Sequence, residues 1–175
     1  MNVAIKMTGR LYDEIRQDLE RPHPFAFERV GFVFGKIGTA SDAGWLVLLT
    51  RYHAIPDDHY IDDPTVGARI GPDAMTWAMQ AVYHGRPARE GIFHIHMHAC
   101  PGETGMSRTD AREMPPMIPG FQSVGRDAAH GIIIMSLDHG SGWVRLPGSK
   151  DLQSCSSMSV IGTPVGVFDR TGERS

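Results

Sequence analysis

The pattern of hydrophobic and polar positions predicts alternating strands and helices along the chain. Leu11, Ile15 and Leu19 recur at every fourth position, which is typical of one face of a helix. In residues 28–37, by contrast, aromatic and β-branched side chains dominate, and such a run predicts a buried strand. The same reasoning predicts further strands at residues 3–7, 45–52, 91–98, 129–137, 143–146 and 160–168, and further helices at residues 72–84 and near residue 107.

Three polar stretches separate these elements and are predicted to be loops or connectors. Residues 52–71 are rich in aspartate, residues 99–125 contain four prolines, and residues 154–159 are rich in serine. The order of elements predicts an α+β fold, or α/β sandwich, built on a mixed sheet flanked by helices. We expect residues 1–175 to form a single domain without internal repeats.

Composition narrows the classes of function. Hydrophobic residues make up 41% of the chain, so a packed core is expected, and the net charge of −3 argues against nucleic-acid or polybasic membrane binding. The two cysteines are too few for a disulfide scaffold or a four-cysteine zinc site. No signal peptide or long apolar run is present in the sequence, so we expect a cytoplasmic protein.

Three of the nine histidines fall within five residues of one predicted strand. His94, His96 and His98 alternate with Ile95 and Met97, so the imidazoles share one face of the strand and the apolar side chains share the other. Neighbouring imidazoles on one face of a strand can reach a single metal ion, and they are costly to bury unless they bind a metal or form hydrogen bonds. This strand therefore predicts a metal site.

A third ligand and a proton carrier are available elsewhere in the sequence. Ser107 and Asp110 have the spacing of a helix capping box, which would fix the Asp110 carboxylate at the start of a helix. Two histidines and one aspartate leave a fourth position for water, which is the pattern of a catalytic zinc site. Glu28 opens a buried strand and is the glutamate best placed to act as a general base.

Taken together, these residues resemble the signature of the JAMM metalloproteases, which are also called the MPN-plus or JAB family. That signature is Glu-x-x-Gly-x-x-x-Gly, then His-x-His, then Ser-x-x-Asp. Glu28, Gly31 and Gly35 match the first part, and Ser107 and Asp110 match the last part in the same order. The resemblance implies a JAB/MPN-like mixed sheet flanked by helices.

Two histidine pairs could supply the His-x-His motif. His94 and His96 fit the family's tendency to place a glycine three residues earlier, here Gly91. His96 and His98 lie closer to the expected distance from Ser107, with one residue more than the family pattern. Extra loop length costs little free energy, so we favour His96 and His98 while both pairs remain open at this point.

The resemblance implies a role for each residue. Zn²⁺ would be held by His96, His98 and Asp110. Glu28 would take a proton from a water that the zinc activates and would deliver it to the leaving amine. Ser107 would donate a hydrogen bond to the oxyanion of the tetrahedral intermediate.

The same resemblance implies a substrate and partners. The family hydrolyses peptide or isopeptide bonds after the C-terminal tail of ubiquitin or ubiquitin-like proteins, and the size of this chain resembles that of bacterial deubiquitinase-like members. Those members accompany ubiquitin-like, E1-like and E2-like proteins, in some cases in antiphage defence, and others process sulfur-carrier proteins. We expect the tail to bind as an extended strand near the site, with residues 100–122 forming one wall of the channel.

Three alternatives compete with this interpretation. A cupin-like metal protein would pair His96 and His98 with Glu103, although the second cupin motif is missing from the sequence. A structural zinc site would be closed by Cys100. An inactive scaffold of the same fold would bind partners without cleaving them.

Overall fold

The computed structural model describes residues 2–24, 26–39, 44–102, 105–162 and 166–168, the last of these as backbone. In these residues four α-helices accompany one mixed sheet of nine strands, in the order β7-β6-β5-β4-β2-β3-β1-β8-β9. The strands are β1 (Val3–Thr8), β2 (Val30–Thr39), β3 (Trp45–Ala54), β4 (Glu90–Met97), β5 (His130–Met135), β6 (Gly140–Arg145), β7 (Gln153–Ser154), β8 (Ser157–Ile161) and β9 (Gly166–Phe168). The helices are α1 (Gly9–Leu19), α2 (Pro72–Gly85), α3 (Arg108–Glu113) and α4 (Met117–Val124).

The sheet is mixed and curls on itself. β4 pairs antiparallel with β2 and parallel with β5, and β1 pairs parallel with both β3 and β8. The curl brings distant strands together: the Cys155 N–H donates to the Gly142 carbonyl at 2.8 Å, and the Ser156 N–H donates to the Val3 carbonyl at 2.7 Å. The predicted α+β class, with a mixed sheet and accompanying helices, is confirmed at this level.

Each face of β4 contributes to a different part of the interior. Phe93, Ile95 and Met97 lie in the core enclosed by the curled sheet and α1, whereas Ile92 belongs to the core beneath α2 and α4. His94 and His96 lie on the same side as Ile92, because successive side chains of a strand point to opposite faces. The predicted division of this strand into an apolar face and a histidine face is confirmed.

The predicted helices are present, with one difference in their buried face. α1 begins at its N-cap Thr8, whose hydroxyl accepts the Leu11 N–H at 3.3 Å, and it buries the predicted stripe of leucine and isoleucine. α2 buries Ala74, Ala78 and Val82, while Met75 and Met79 are half-buried, although their helical spacing with Val82 predicts one buried face. Small side chains let the helix lie close to the sheet, so the alanines define the contact. Among the described residues, no helix is long and apolar enough to cross a membrane.

Two predicted loops contain regular structure. The prediction of a connector at residues 154–159 is wrong, because β8 begins within this stretch and buries Met158 and Val160 against β1. The predicted loop at residues 99–125 includes α4 as well as the expected short helix, and α4 buries Ile118 and Phe121. In both segments the buried side chains are few and are separated by serine, glycine or proline, which lowers the mean hydropathy of the stretch.

Candidate metal centre

The register between β2 and β4 brings the two ends of the predicted motif together. Val30 pairs with His96 in this antiparallel pair, so the position two residues before Val30 lies beside the position two residues after His96. Those positions are Glu28 and His98. The candidate ligand atoms of Glu28, His96 and His98 all lie within 4.8 Å of one another.

The two imidazoles are aimed at a common point. The Nε2 atoms of His96 and His98 lie 3.1 Å apart, and His96 is only 2% exposed. His98 follows the end of β4 and is held by its backbone N–H, which donates to the Met135 carbonyl of β5 at 2.8 Å. Its side chain is 21% exposed, so the pair has a buried side and an open side.

Asp110 completes the cluster through a local helix cap. Ser107 is the N-cap of α3: its hydroxyl accepts the Asp110 N–H at 3.1 Å, and its own N–H donates to Asp110 Oδ2 at 2.8 Å. This confirms the predicted capping box. The carboxylate that results lies with Oδ1 3.6 Å from His96 Nε2 and Oδ2 3.7 Å from His98 Nε2.

The surroundings of Asp110 keep its carboxyl ionised. Burial by itself raises the pKa of this group, but interaction with His96 and with Ser107 outweighs burial and holds the pKa well below its usual range. The cluster therefore presents a carboxylate beside two imidazole nitrogens, which is the donor set of a divalent metal.

The spacing of these donors fits zinc. Nitrogen and oxygen ligands held tetrahedrally by Zn²⁺ lie about 3.3–3.6 Å from one another, given ordinary zinc–ligand distances. The two Nε2 atoms lie 3.1 Å apart, and each imidazole has a different oxygen of Asp110 at 3.6 or 3.7 Å, distances close to that range. His96, His98 and Asp110 could hold the ion, and the half-buried Glu28 lies close enough to reach its remaining position directly or through water.

His94 lies away from this cluster. Burial lowers the pKa of His94 to about 3, and the neutral ring packs edge-on against Phe32, with centroids 6.0 Å apart. The Nδ1 atoms of His94 and His96 are buried without a hydrogen-bond partner among the described residues. Of the two candidate pairs, the structure groups His96 and His98 with Glu28, and it places His94 in the apolar layer beneath α4.

The competing ligands do not join the group that the structure describes. Cys100 is exposed, and in the described part of the chain its thiol has no contact with the imidazole pair like the one that Asp110 makes. Its backbone carbonyl accepts the Leu137 N–H at 3.3 Å, which ties this segment to the β5–β6 turn. Glu103, which the cupin alternative requires, lies outside the described residues.

Sequence reasoning missed the segment that surrounds Glu28. The carbonyl of Gly67 accepts the N–H groups of Phe27 and Glu28 at 2.8 and 3.0 Å. The hydroxyl of Tyr60 accepts the Val30 N–H at 3.0 Å and donates to the Val30 carbonyl at 2.9 Å. These residues belong to the stretch predicted as a surface loop. The sequence carries no signal for contacts that join positions about 30 or 40 residues apart.

A second cluster holds the chain that follows His98. Asp138 Oδ1 accepts the Gly102 N–H at 2.8 Å, the Ser136 hydroxyl at 3.2 Å and the His139 Nδ1–H at 2.8 Å. The Gly102 N–H and the His139 ring lower the pKa of Asp138 to about 2. This arrangement, which we call the Asp138 clamp, anchors the segment between the histidines and α3.

No family model matches the chain, and no curated protein matches it. Among solved structures, the N-terminal domain of STIL from Trichoplax adhaerens is similar over 82% of this chain and 41% of that chain, with 13% identity and a TM-score of 0.39. The chain thus spans less than half of that structure.

Proposed function

We propose that this chain is a zinc-dependent peptidase or isopeptidase that hydrolyses the bond after the C-terminal tail of a ubiquitin-like protein. The observation that carries the proposal is the convergence of Glu28 with His96 and His98, whose ligand atoms lie within 4.8 Å of one another although they come from two separate strands. The Asp110 carboxylate lies within 3.7 Å of both imidazoles and supplies the third ligand. The ordered resemblance to the JAMM signature supports the same assignment.

Four side chains have defined roles in the proposed hydrolysis: three bind the metal and one transfers a proton. His96, His98 and Asp110 hold Zn²⁺, which supplies Lewis acidity to the substrate carbonyl and to a water when it is bound. The carboxylate of Glu28 accepts a proton from the attacking water and passes it to the leaving amine. Glu28 is half-buried, so water and substrate can reach it.

Ser107 has the chemistry needed for an oxyanion donor. Its hydroxyl oxygen accepts the Asp110 N–H, and that bond does not use the hydroxyl hydrogen. The hydrogen is available to the oxygen of a tetrahedral intermediate, where a single donor can contribute about 10²–10³ in kcat. Because Ser107 also caps α3, the same residue that stabilises the oxyanion fixes the ligand Asp110.

A protein tail is the substrate class that the resemblance suggests. Both strands that carry the site are already paired on both sides, β2 with β3 and β4, and β4 with β2 and β5. An extended tail would therefore lie across the ends of these strands instead of adding to them. Phe27 precedes Glu28 and is 78% exposed, which offers an apolar contact beside the reacting bond.

The experiment combines metal analysis with cleavage. The unaltered chain should bind one zinc ion and cleave a fusion of a ubiquitin-like domain, through its C-terminal tail, to a reporter protein. Cleavage should stop with chelator and return with zinc. Glu28→Gln should still bind one zinc ion at saturating zinc and lose cleavage, whereas Glu14→Gln, an exposed change on α1, should retain both zinc affinity and cleavage.

Each alternative gives a different result in that experiment. Normal cleavage by Glu28→Gln would contradict the assigned proton carrier. Zinc binding without cleavage of any fusion tested would favour a structural site or an inactive scaffold. Cleavage of a sulfur-carrier precursor alone would narrow the substrate to that class.

A further inference from the structure

Gly67 lies directly against the carboxylate of Glu28. A Cβ atom at position 67 would stand 2.7 Å from Glu28 Oε2, 2.9 Å from Cδ and 3.3 Å from Oε1. Carbon atoms in folded proteins do not approach non-bonded oxygen that closely. The carboxylate can occupy its place beside the imidazole pair only because residue 67 has no side chain.

The requirement at Gly67 is for space and not for an unusual backbone conformation. The described glycines with positive φ are Gly102, Gly148 and Gly162, so Gly67 has a backbone that alanine also adopts. An alanine at position 67 would therefore leave the local backbone unstrained. Its methyl group would instead clash with the carboxylate at the end of the Glu28 side chain.

The backbone on both sides of this contact is firmly held. The Gly67 carbonyl accepts two N–H groups from the chain around Glu28, and Tyr60 bonds both polar groups of Val30 at the start of β2. Arg29 is 2% exposed and its guanidinium donates to Asp57 at 2.8 Å and to two backbone carbonyls nearby. A methyl group at position 67 would therefore displace the flexible carboxylate before it displaced the chain.

We infer that Gly67 is a positioning residue for Glu28, and that its bare Cα is the surface that keeps the carboxylate facing His96 and His98. This inference rests on the proposed function, in which those histidines bind zinc and Glu28 carries the proton. A displaced carboxylate would lie farther from the bound cation, so zinc would bind less tightly. We expect Gly67→Ala to weaken zinc binding by about tenfold, the lower end of the range typical for residues that orient a metal site.

The test is a double-mutant cycle on zinc affinity, measured by competition with a chromogenic chelator. Gly67→Ala is introduced into the unaltered chain and into Glu28→Gln, whose neutral amide has no charge to bring to the cation. We expect the roughly tenfold loss in the first background and less than about a twofold loss in the second. Equal losses in both backgrounds, or no loss in the unaltered chain, would overturn the inference.

Two controls distinguish a loss of zinc affinity caused by a displaced Glu28 from one caused by misfolding. At Gly120 on α4, a Cβ would meet no heavy atom within 4 Å, so Gly120→Ala should leave zinc affinity unchanged. All variants are compared by thermal unfolding before zinc is added. If the unaltered chain binds zinc but cleaves no fusion, the proposed peptidase function is wrong, and the double-mutant cycle on zinc affinity still tests the role of Gly67. If the unaltered chain binds no zinc, the proposed function and the role of Gly67 are both wrong.

Discussion

The Nε2 atoms of His96 and His98 lie 3.1 Å apart at the end of β4. Two imidazole lone pairs at that distance need a proton or a cation between them. The carboxylate of Asp110, within 3.7 Å of both nitrogens, adds the negative charge and the third donor that a divalent cation requires. His94 belongs to the same strand and face, yet its ring is enclosed by the apolar layer.

His98 and His94 should therefore respond differently to substitution. His98→Ala removes a ligand and should lower zinc affinity by more than about 100-fold, because loss of a direct ligand costs more than loss of its supporting contacts. His94→Leu replaces a buried imidazole, whose Nδ1 has no hydrogen-bond partner among the described residues, by an apolar side chain and should retain one zinc per chain. Metal analysis after equilibration with zinc measures both. Retained zinc in His98→Ala together with its loss in His94→Leu would move the site to the other histidine pair.

Ser107 combines a structural and a chemical role that two substitutions can separate. Ser107→Ala removes the cap and should destabilise the protein by about 1 kcal/mol, whereas glycine is nearly as good an N-cap and should cost only a few tenths. Both variants lack the hydroxyl, so both should lose about 10²–10³ in kcat if Ser107 stabilises the oxyanion. Thermal unfolding and steady-state cleavage give the two quantities. Near-normal cleavage by Ser107→Gly would reduce the role of Ser107 to capping.

The sequence predicted the parts of the site that depend on local patterns. The period of two along β4 assigns the faces of Ile95 and His96, and the spacing of Ser107 and Asp110 predicts the cap. The contact of Glu28 with this group follows from the register of β2 against β4, which depends on the packing of the whole sheet. Such non-local pairings leave no trace in the spacing of a single sequence.

Two other features of the structure, the start of β8 and the approach of Gly67 to Glu28, also escaped prediction, each for a different reason. The first three residues of β8 escaped prediction, because Ser157 and Ser159 alternate with Met158 and Val160 and give this stretch the mean hydropathy of a connector. The approach of Gly67 to Glu28 escaped because a glycine in a polar stretch usually indicates only a turn. The resemblance to a family supplied the roles of the residues, but it could not supply the contacts that orient them.

The Asp138 clamp should control how firmly the chain at Gly102 is held. Asp138→Ala removes the acceptor shared by the Gly102 N–H, the Ser136 hydroxyl and the His139 ring, so this part of the chain should open more often. Limited trypsin digestion at Arg108 should then be severalfold faster, because cleavage under mild conditions follows the population of the open form. Asp127→Ala, an exposed change near the end of α4, is the matched control. Equal digestion rates in the two variants would show that the clamp does not hold this part of the chain.

His130 should make the stability of the fold depend on pH. Its Nδ1 accepts the Ile92 N–H at 3.2 Å and its Nε2–H donates to the Gly125 carbonyl at 2.9 Å, which joins β4 to the end of α4. Burial lowers the pKa of His130, so the folded protein keeps the ring neutral while the unfolded chain gains a proton as the pH falls below about 6.5. The free energy of unfolding should therefore decrease on acidification from pH 7 to pH 5.

His130→Phe isolates this contribution from those of the other buried histidines. It leaves the buried Ile92 N–H without its acceptor, whereas the Gly125 carbonyl keeps the Ala128 N–H, and it should cost about 1–3 kcal/mol at pH 7.5. At pH 5 protonation of His130 in the unfolded state has already lowered the free energy of unfolding of the unaltered protein. The difference in this free energy between the two proteins should therefore be smaller than at pH 7.5. Urea unfolding of both proteins in chelator, at intervals across this range, measures the difference without a contribution from zinc binding. A constant difference at every pH would mean that the hydrogen bonds of His130 stabilise the fold without coupling it to protons.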